Sequence, residues 1–240
     1  NALVANQLQK FQKAVDTLIE KNVKKDEAIF QVLKELIIQS KPIRFNGDGY
    51  SEEWVKEAKK RGLTNITSVP ESLAAYLRPE SKKLFKDLEI FNESELRGRV
   101  EVEYEKFIMK IQIESRVLAD LAINHIVPVA IEYQTMLLEN VRNLKEVFDA
   151  EEYKKLAGAR LELIKTINEH ISTIKAKREA MIEERKKSNA ISDVVKRAVA
   201  YDKNVKPYLE EIREHIDKLE LIVDNEKWPL PKYRELLFTK

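Results

Sequence analysis

The chain predicts an all-α fold, an elongated helical bundle with a long antiparallel coiled-coil-like hairpin, on three observations. Apolar residues recur every three and four positions along almost its whole length, the period of a helix that buries one face. Only 5 Gly and 7 Pro interrupt 240 residues, so long elements are expected. Charged residues make up 35% and hydrophobic residues 43%, the balance of long helices with one wet face.

The first helix is expected from Ala2 to about Lys21, where Leu3, Val4, Leu8, Phe11, Val15, Leu18 and Ile19 form one stripe. Asp26 opens a second, with Ile29, Phe30, Leu33, Leu36 and Ile37 on its buried face until Pro42 forbids continuation. The two make an antiparallel pair. From Pro42 to Tyr50 the chain reads as a loop, and Asn46, Gly47, Asp48 and Gly49 in succession fix its path, with Tyr50 and Trp54 as aromatic anchors packing beneath the next helix. Ser51 is the N-cap of that helix, Glu52 and Glu53 suit its positive first turn, and Gly62 ends it. Pro70 and Pro79 start short helices near 71–77 and 80–88, because proline's missing donor costs nothing at the first helical position.

The second half is longer in scale. From Glu93 a stripe runs through Leu96, Val100, Tyr104, Phe107, Ile111, Leu118, Leu121 and His125, then past Pro128 through Ile131, Leu138, Val141, Leu144 and Val147. Pro128 removes one backbone bond and crowds the carbonyl four residues back, so a bend is expected near Ala122 to Pro128 rather than a stop. Two further stripes follow, Leu156, Leu163, Ile167, Ile171, Ile174 and Met181, then Ile191, Val194, Ala198, Val205, Leu209, Ile212, Ile216, Leu219 and Val223. Each predicts a helix of about 35 residues, or about 50 Å. They should form the hairpin, turning at Lys187 to Asn189 beside the kinked helix. The tail Trp228–Phe238 carries two prolines and three aromatics and reads as a strap ending in a short helix. Residues 1–92 are thus N-terminal helices and a Gly-rich loop packed on the bundle of 93–240, the two forming one continuous domain.

Charge and composition exclude several classes. With 43 basic and 41 acidic side chains the net charge is +2, so no whole-molecule field draws the chain to nucleic acid or an anionic membrane. The absence of cysteine excludes disulfides and thiolate metal sites and fits a cytoplasmic setting. No apolar run approaches the length of a membrane span, and no signal-peptide core follows the N-terminus. A start at Asn1 rather than Met is expected of a fragment or a trimmed chain.

Candidate chemistry is sparse. Gly47 and Gly49 invite comparison with a phosphate-cradling loop, but Asp48, Glu52 and Glu53 would repel phosphate and no Walker-type Lys or Ser/Thr is in place. A calcium loop from Asn46, with Asp48 third and Glu57 twelfth, fails because Ser51 stands where glycine is needed and Tyr50 where a ligand is needed. His125, His170 and His215 lie far apart in sequence with no ligand partner at metal spacing, so capped or half-buried structural roles are expected. Glu101, Glu103, Glu105 and Glu114 with Arg97, Arg99 and Arg116 read as solvated ladders. Glu114, Arg116 and Asp120 near the Pro128 bend are the candidates for a buried structural network. The cluster Lys175, Lys177, Arg178, Arg185, Lys186 and Lys187 is interleaved with Glu179, Glu183 and Glu184 and lacks aromatic platforms, so it reads as a solvated hairpin tip. No Ser/His/Asp or Cys/His arrangement can be assembled.

Three separated motifs resemble one family. Phe45-Asn-Gly-Asp-Gly-Tyr-Ser-Glu-Glu-Trp-Val-Lys-Glu-Ala58 with Lys60-Arg-Gly-Leu63, then Ile111–Ala122 with Asn124–Gln134, and finally Trp228-Pro-Leu-Pro-Lys-Tyr-Arg-Glu-Leu-Leu-Phe238 are similar in order and spacing to the carboxy-terminal region of a type III glutamine synthetase. Asn1-Ala-Leu-Val-Ala resembles the point where that family's catalytic domain gives way to its helical extension. The resemblance implies a parent enzyme that joins ammonia to glutamate with ATP and Mg or Mn, through an acyl phosphate, in a large ring-shaped homo-oligomer. The catalytic and β-grasp domains that carry the family's metal, nucleotide and substrate sites would lie upstream of Asn1. No catalytic, cofactor-binding or metal residue is therefore assigned here. The implied role is structural and oligomerising, with the catalytic domain of the same chain and neighbouring subunits as partners, and neither nucleic acid nor membrane. A free-standing coiled-coil scaffold or adaptor is the rival reading, although it needs neither the Gly loop nor the Pro-rich tail. A helical nucleic-acid binder fits the near-neutral charge poorly.

Overall fold

In the computed structural model, which describes residues 1–237, every regular element is helical and no strand occurs among the described residues. The chain divides into two compact units, residues 1–103 and Tyr104 onward.

In the first unit, α1 (Ala2–Glu20) and α2 (Lys25–Gln39) pack as a helical hairpin. Asn22 takes a φ of 64°, and the N–H groups of Lys21 and Val23 both return to the Leu18 carbonyl, satisfying the helix end where the chain reverses. The stripes expected to be buried are only partly so. Val15 and Ala28 are enclosed and Phe11, Leu18, Val32 and Leu36 half-buried, whereas Leu3, Val4, Leu8, Phe30, Leu33 and Ile37 face solvent. Two helices touching along one line cover only a narrow strip of each, and these stripes are broader than that strip.

A single 3-10 turn (Lys41–Ile43) leads into the loop, and α3 (Glu52–Lys60) follows. Two short helices, α4 (Val69–Tyr76) and α5 (Pro79–Asp87), begin at prolines as expected, and Phe85 lies against both Tyr76 and Phe91. α6 (Glu93–Leu121) opens on a reciprocal capping box: Glu95 N–H donates to Asn92 Oδ1 at 3.0 Å, and Asn92 N–H to Glu95 Oε2 at 2.9 Å.

The second unit has a continuous core. α7 (Val127–Val147) and α8 (Ala150–Asn189) are antiparallel neighbours, and α8 also packs on α10 (Lys206–Ile222). α8 has 40 residues, hence about 60 Å of helix. Asp149 caps it by accepting from the N–H groups of Glu151 and Glu152. The hairpin turn falls at 190–193, just beyond the expected Lys187 to Asn189, where Asp193 caps α9 (Val194–Ala200) by accepting from Lys196 N–H.

Pro128 and Pro207 are each accommodated by a π-turn that ends just before them, Ala122–Ile126 and Tyr201–Val205. Val127 N–H bonds to Ala122 O, and Lys206 N–H to Tyr201 O, so the widened turn absorbs the missing proline donor. The buried face beyond it is only partly the expected one: Ile126, Ala130, Leu137 and the expected Val141 are enclosed, while His125, Ile131 and Leu138, also expected there, are exposed.

In the tail Trp228 is buried, and Lys232 Nζ donates to the carbonyls of Glu220 and Val223 before α11 (Tyr233–Leu236). The expected strap ended at Phe238, which lies outside the described residues.

Candidate functional site

The loop singled out by sequence is held by contacts from both of its flanks. Asp48 Oδ1 accepts from Tyr50 N–H at 2.9 Å, and the Asp48 carbonyl accepts from Ser51 Oγ at 2.8 Å. Ser51 Oγ in turn accepts from Trp54 N–H at 3.2 Å, the expected N-cap. Arg61, at the far end of α3, ties the loop's other side: its Nη1 donates to the carbonyls of Arg44 at 2.8 Å and Pro42 at 3.2 Å, and its Nε to Glu57 at 2.7 Å. That hydrogen bond holds the Glu57 carboxyl below its usual range. Gly62 then takes a φ of +77°, the left-handed close of the helix.

The aromatic anchors are not the expected pair. Tyr50 is 99% exposed; Phe45 stacks on Trp54 with ring centroids 4.4 Å apart. A Cβ at Gly47 would stand 2.6 Å from the Phe45 ring, so glycine there lets the loop fold over its own aromatic. The turn takes Tyr50 outward because its backbone, not its ring, is what Asp48 holds.

Other candidates resolve differently from expectation. Glu114, Arg116 and Asp120 are exposed and form no buried network: Glu114 faces Lys110 at 3.9 Å, and Asp120 accepts from Asn124 at 2.5 Å. They fall on the outer side of α6, and Ser115 between them is the enclosed residue. Arg97 pairs with Glu93 at 3.8 Å as one exposed rung of the ladder kind expected, whereas Arg99 lies over the Phe91 ring in a cation–π contact. In the basic cluster Lys186 and Lys187 pair with Glu183 and Glu184 within their helix, whereas Lys177 reaches across to Glu211 of α10 at 2.6 Å. Arg178 and Arg185 are half-buried rather than solvated.

Two polar constellations escaped the sequence. His170 of α8 and His215 of α10, 45 positions apart, meet with Nδ1 atoms 2.8 Å apart. The contact requires a hydrogen on one Nδ1 and a lone pair on the other, so both cannot be protonated there. Burial pushes the His170 imidazole below its ordinary range, helped by the charges of His215 and Lys218 and opposed by Glu169 and Glu214. Near the hairpin turn, Tyr201 OH donates to Asn189 Oδ1 at 2.7 Å while Gln112 Nε2 reaches both Asn189 Oδ1 and the Tyr201 oxygen, joining α6, α8 and the second π-turn. Burial pushes the Tyr201 phenol up, against the hydrogen bond from Gln112. The spacing of His170 and His215 gave no signal, because helix register across a hairpin is set by packing and turn length. Among the described residues no three His, Asp or Glu side chains converge as a metal site.

Comparison with known proteins gives a consistent answer. Residues 28–145 match the family model described as Glutamine synthetase C-terminal domain. The whole chain aligns with the Glutamine synthetase of Bacteroides fragilis (strain YCH46) at 57% identity over 240 residues, covering 33% of that protein. Residues 28–145 of the chain belong to the glutamine synthetase C-terminal domain family. The Type-3 glutamine synthetase of Dictyostelium discoideum is 30% identical over 249 residues, again with 100% of this chain and 32% of that protein. A Glutamine synthetase of Butyrivibrio fibrisolvens is 27% identical over 213 residues, 89% of this chain and 30% of the relative. The chain therefore spans about a third of the length of these curated relatives. The Gly loop and the Ile111–Gln134 motif both fall inside the family match.

Proposed function

We propose that the chain is the non-catalytic helical region of a glutamine synthetase whose complete form joins ammonia to glutamate with ATP and Mg or Mn. Its work is to pack on the remainder of its own polypeptide and to stabilise a homo-oligomer. The observation that carries this reading is the unfinished apolar face of the first unit. Phe30, Leu33 and Ile37 stand at i, i+3 and i+7 on α2 with 61%, 45% and 56% exposure, and Leu3 and Leu8 on α1 are 73% and 63% exposed. Aligned apolar side chains of this size are the mark of a surface that another surface covers, each worth about 1.5–3 kcal/mol when fully buried. The relatives' additional length supplies a chain to cover it.

The test places Phe30→Glu with Ile37→Glu in the complete protein. Loss of assembly and of glutamine synthesis with helical content retained is the expected result; full assembly and activity would refute the packing role. This chain by itself should form no glutamine from glutamate, ammonia and ATP, and turnover by it would refute the non-catalytic assignment.

A further inference from the structure

The first unit carries an open, solvent-facing groove of about 740 Å³ between the end of α2 and the loop. Its walls combine two kinds of chemistry. Ile38, Pro42 and Phe45 supply apolar surface, while Lys41, Arg44 and Arg61 bring three positive charges and Asn46 an amide. Arg61 is already engaged, by Glu57 and by the loop carbonyls, and serves as the frame. Lys41 and Arg44 are exposed, and neither has a carboxylate partner among the described residues. The acidic residues that argued against anion binding in the sequence do not reach this space. Asp48 spends its carboxylate on Tyr50 N–H, Glu52 and Glu53 stand in the first turn of α3, and none of the three lines the groove. The apolar wall is fixed in advance, because Phe45 is stacked on Trp54 and closed over Gly47.

We propose that this groove binds an organic oxyanion, a carboxylate or phosphate group carried on an apolar body. The oxyanion pairs with Lys41 and Arg44, Asn46 donates its amide, and the apolar body lies against Ile38 and Phe45. Cations without a partner beside a preformed apolar wall suit such a ligand, since a charged hydrogen bond supplies direction and the wall supplies area. This differs from a glycine-loop phosphate cradle, in which backbone N–H groups do the holding.

The experiment is amide hydrogen exchange of the complete protein, followed on peptides covering residues 41–61, with phenyl phosphate, phenylacetate and uncharged phenol as probes. Saturable slowing with phenyl phosphate, phenylacetate or both is expected, and which arm responds assigns the oxyanion. Lys41→Gln with Arg44→Gln should raise the half-saturating concentration about tenfold or more, whereas Lys41→Arg with Arg44→Lys should retain binding. Three results overturn the proposal: no slowing at up to about 10 mM ligand, equal slowing with phenol, or slowing undiminished in the Gln variant. Because the readout is confined to this loop, its failure leaves the packing role of α1 and α2 untouched, and the failure of that role leaves this one standing.

Discussion

The two units use the same helical period to different ends. In residues from Tyr104 onward the stripes close on one another: Ile167, Ile174, Met181, Ile212 and Leu219 have no exposed surface at all. In residues 1–103 the two longest stripes leave most of their large side chains in solvent, enclosing only Val15 and Ala28. An amphipathic pattern therefore announces that a face will be covered, without saying by what. In one unit the cover is a third helix of the same chain. In the other, α1 and α2 cover only a strip of each other, and the proposed packing role assigns the rest of the cover to the remainder of the polypeptide.

Substitutions should separate the units sharply. Met181→Ala, fully buried in the hairpin core toward its turn, is expected to cost about 2–5 kcal/mol in denaturant unfolding of the chain. Phe30→Ala in the same experiment should change stability by less than about 0.5 kcal/mol, since its side chain is mostly exposed. Equal losses would erase the contrast.

A smaller effect tests the polar link near the hairpin turn. Tyr201→Phe removes the hydroxyl that donates to Asn189 and accepts from Gln112, leaving both amides with fewer partners. An expected loss of about 1–2 kcal/mol by thermal or denaturant unfolding follows from that desolvated polarity. A neutral result would mean that solvent replaces the hydroxyl.

The smallest expected effect is pH-dependent. His170 is held below its ordinary value in the folded state. Its contribution to stability is therefore full above about pH 6.5, the ordinary histidine value, and is lost as pH falls through the lowered value. Unfolding midpoints measured from neutral to mildly acidic pH should show this step, and His215→Gln should shrink it, because one of the repelling charges is gone. A step of the same size in the variant would place the cause elsewhere.

Much of the local structure was legible because local chemistry decides it. Ser51 accepts from Trp54 N–H where an N-cap was expected, and Gly62 takes the left-handed conformation that ends α3. The prolines of α4 and α5 mark their starts within two residues. What could not be read depends on inter-helix register or on small phase changes. Past the π-turn before Pro128 the enclosed residues are Ala130 and Leu137 rather than Ile131 and Leu138, and the sequence period alone does not reveal the inserted residue. His170 and His215 meet only because α8 and α10 settle in one register. Within the loop, glycines and Asp48 made a tight turn readable, but which aromatic would turn inward was decided by space: Phe45 finds room above Gly47, and Tyr50 does not fold under.

The central claim is that the exposed face of α1 and α2 is completed by the rest of the polypeptide. Hydroxyl-radical labelling of Leu8, Phe30 and Ile37 in the complete protein, compared with this chain alone, tests it directly. Strong protection of all three in the complete protein is the predicted result; equal labelling in both would contradict it.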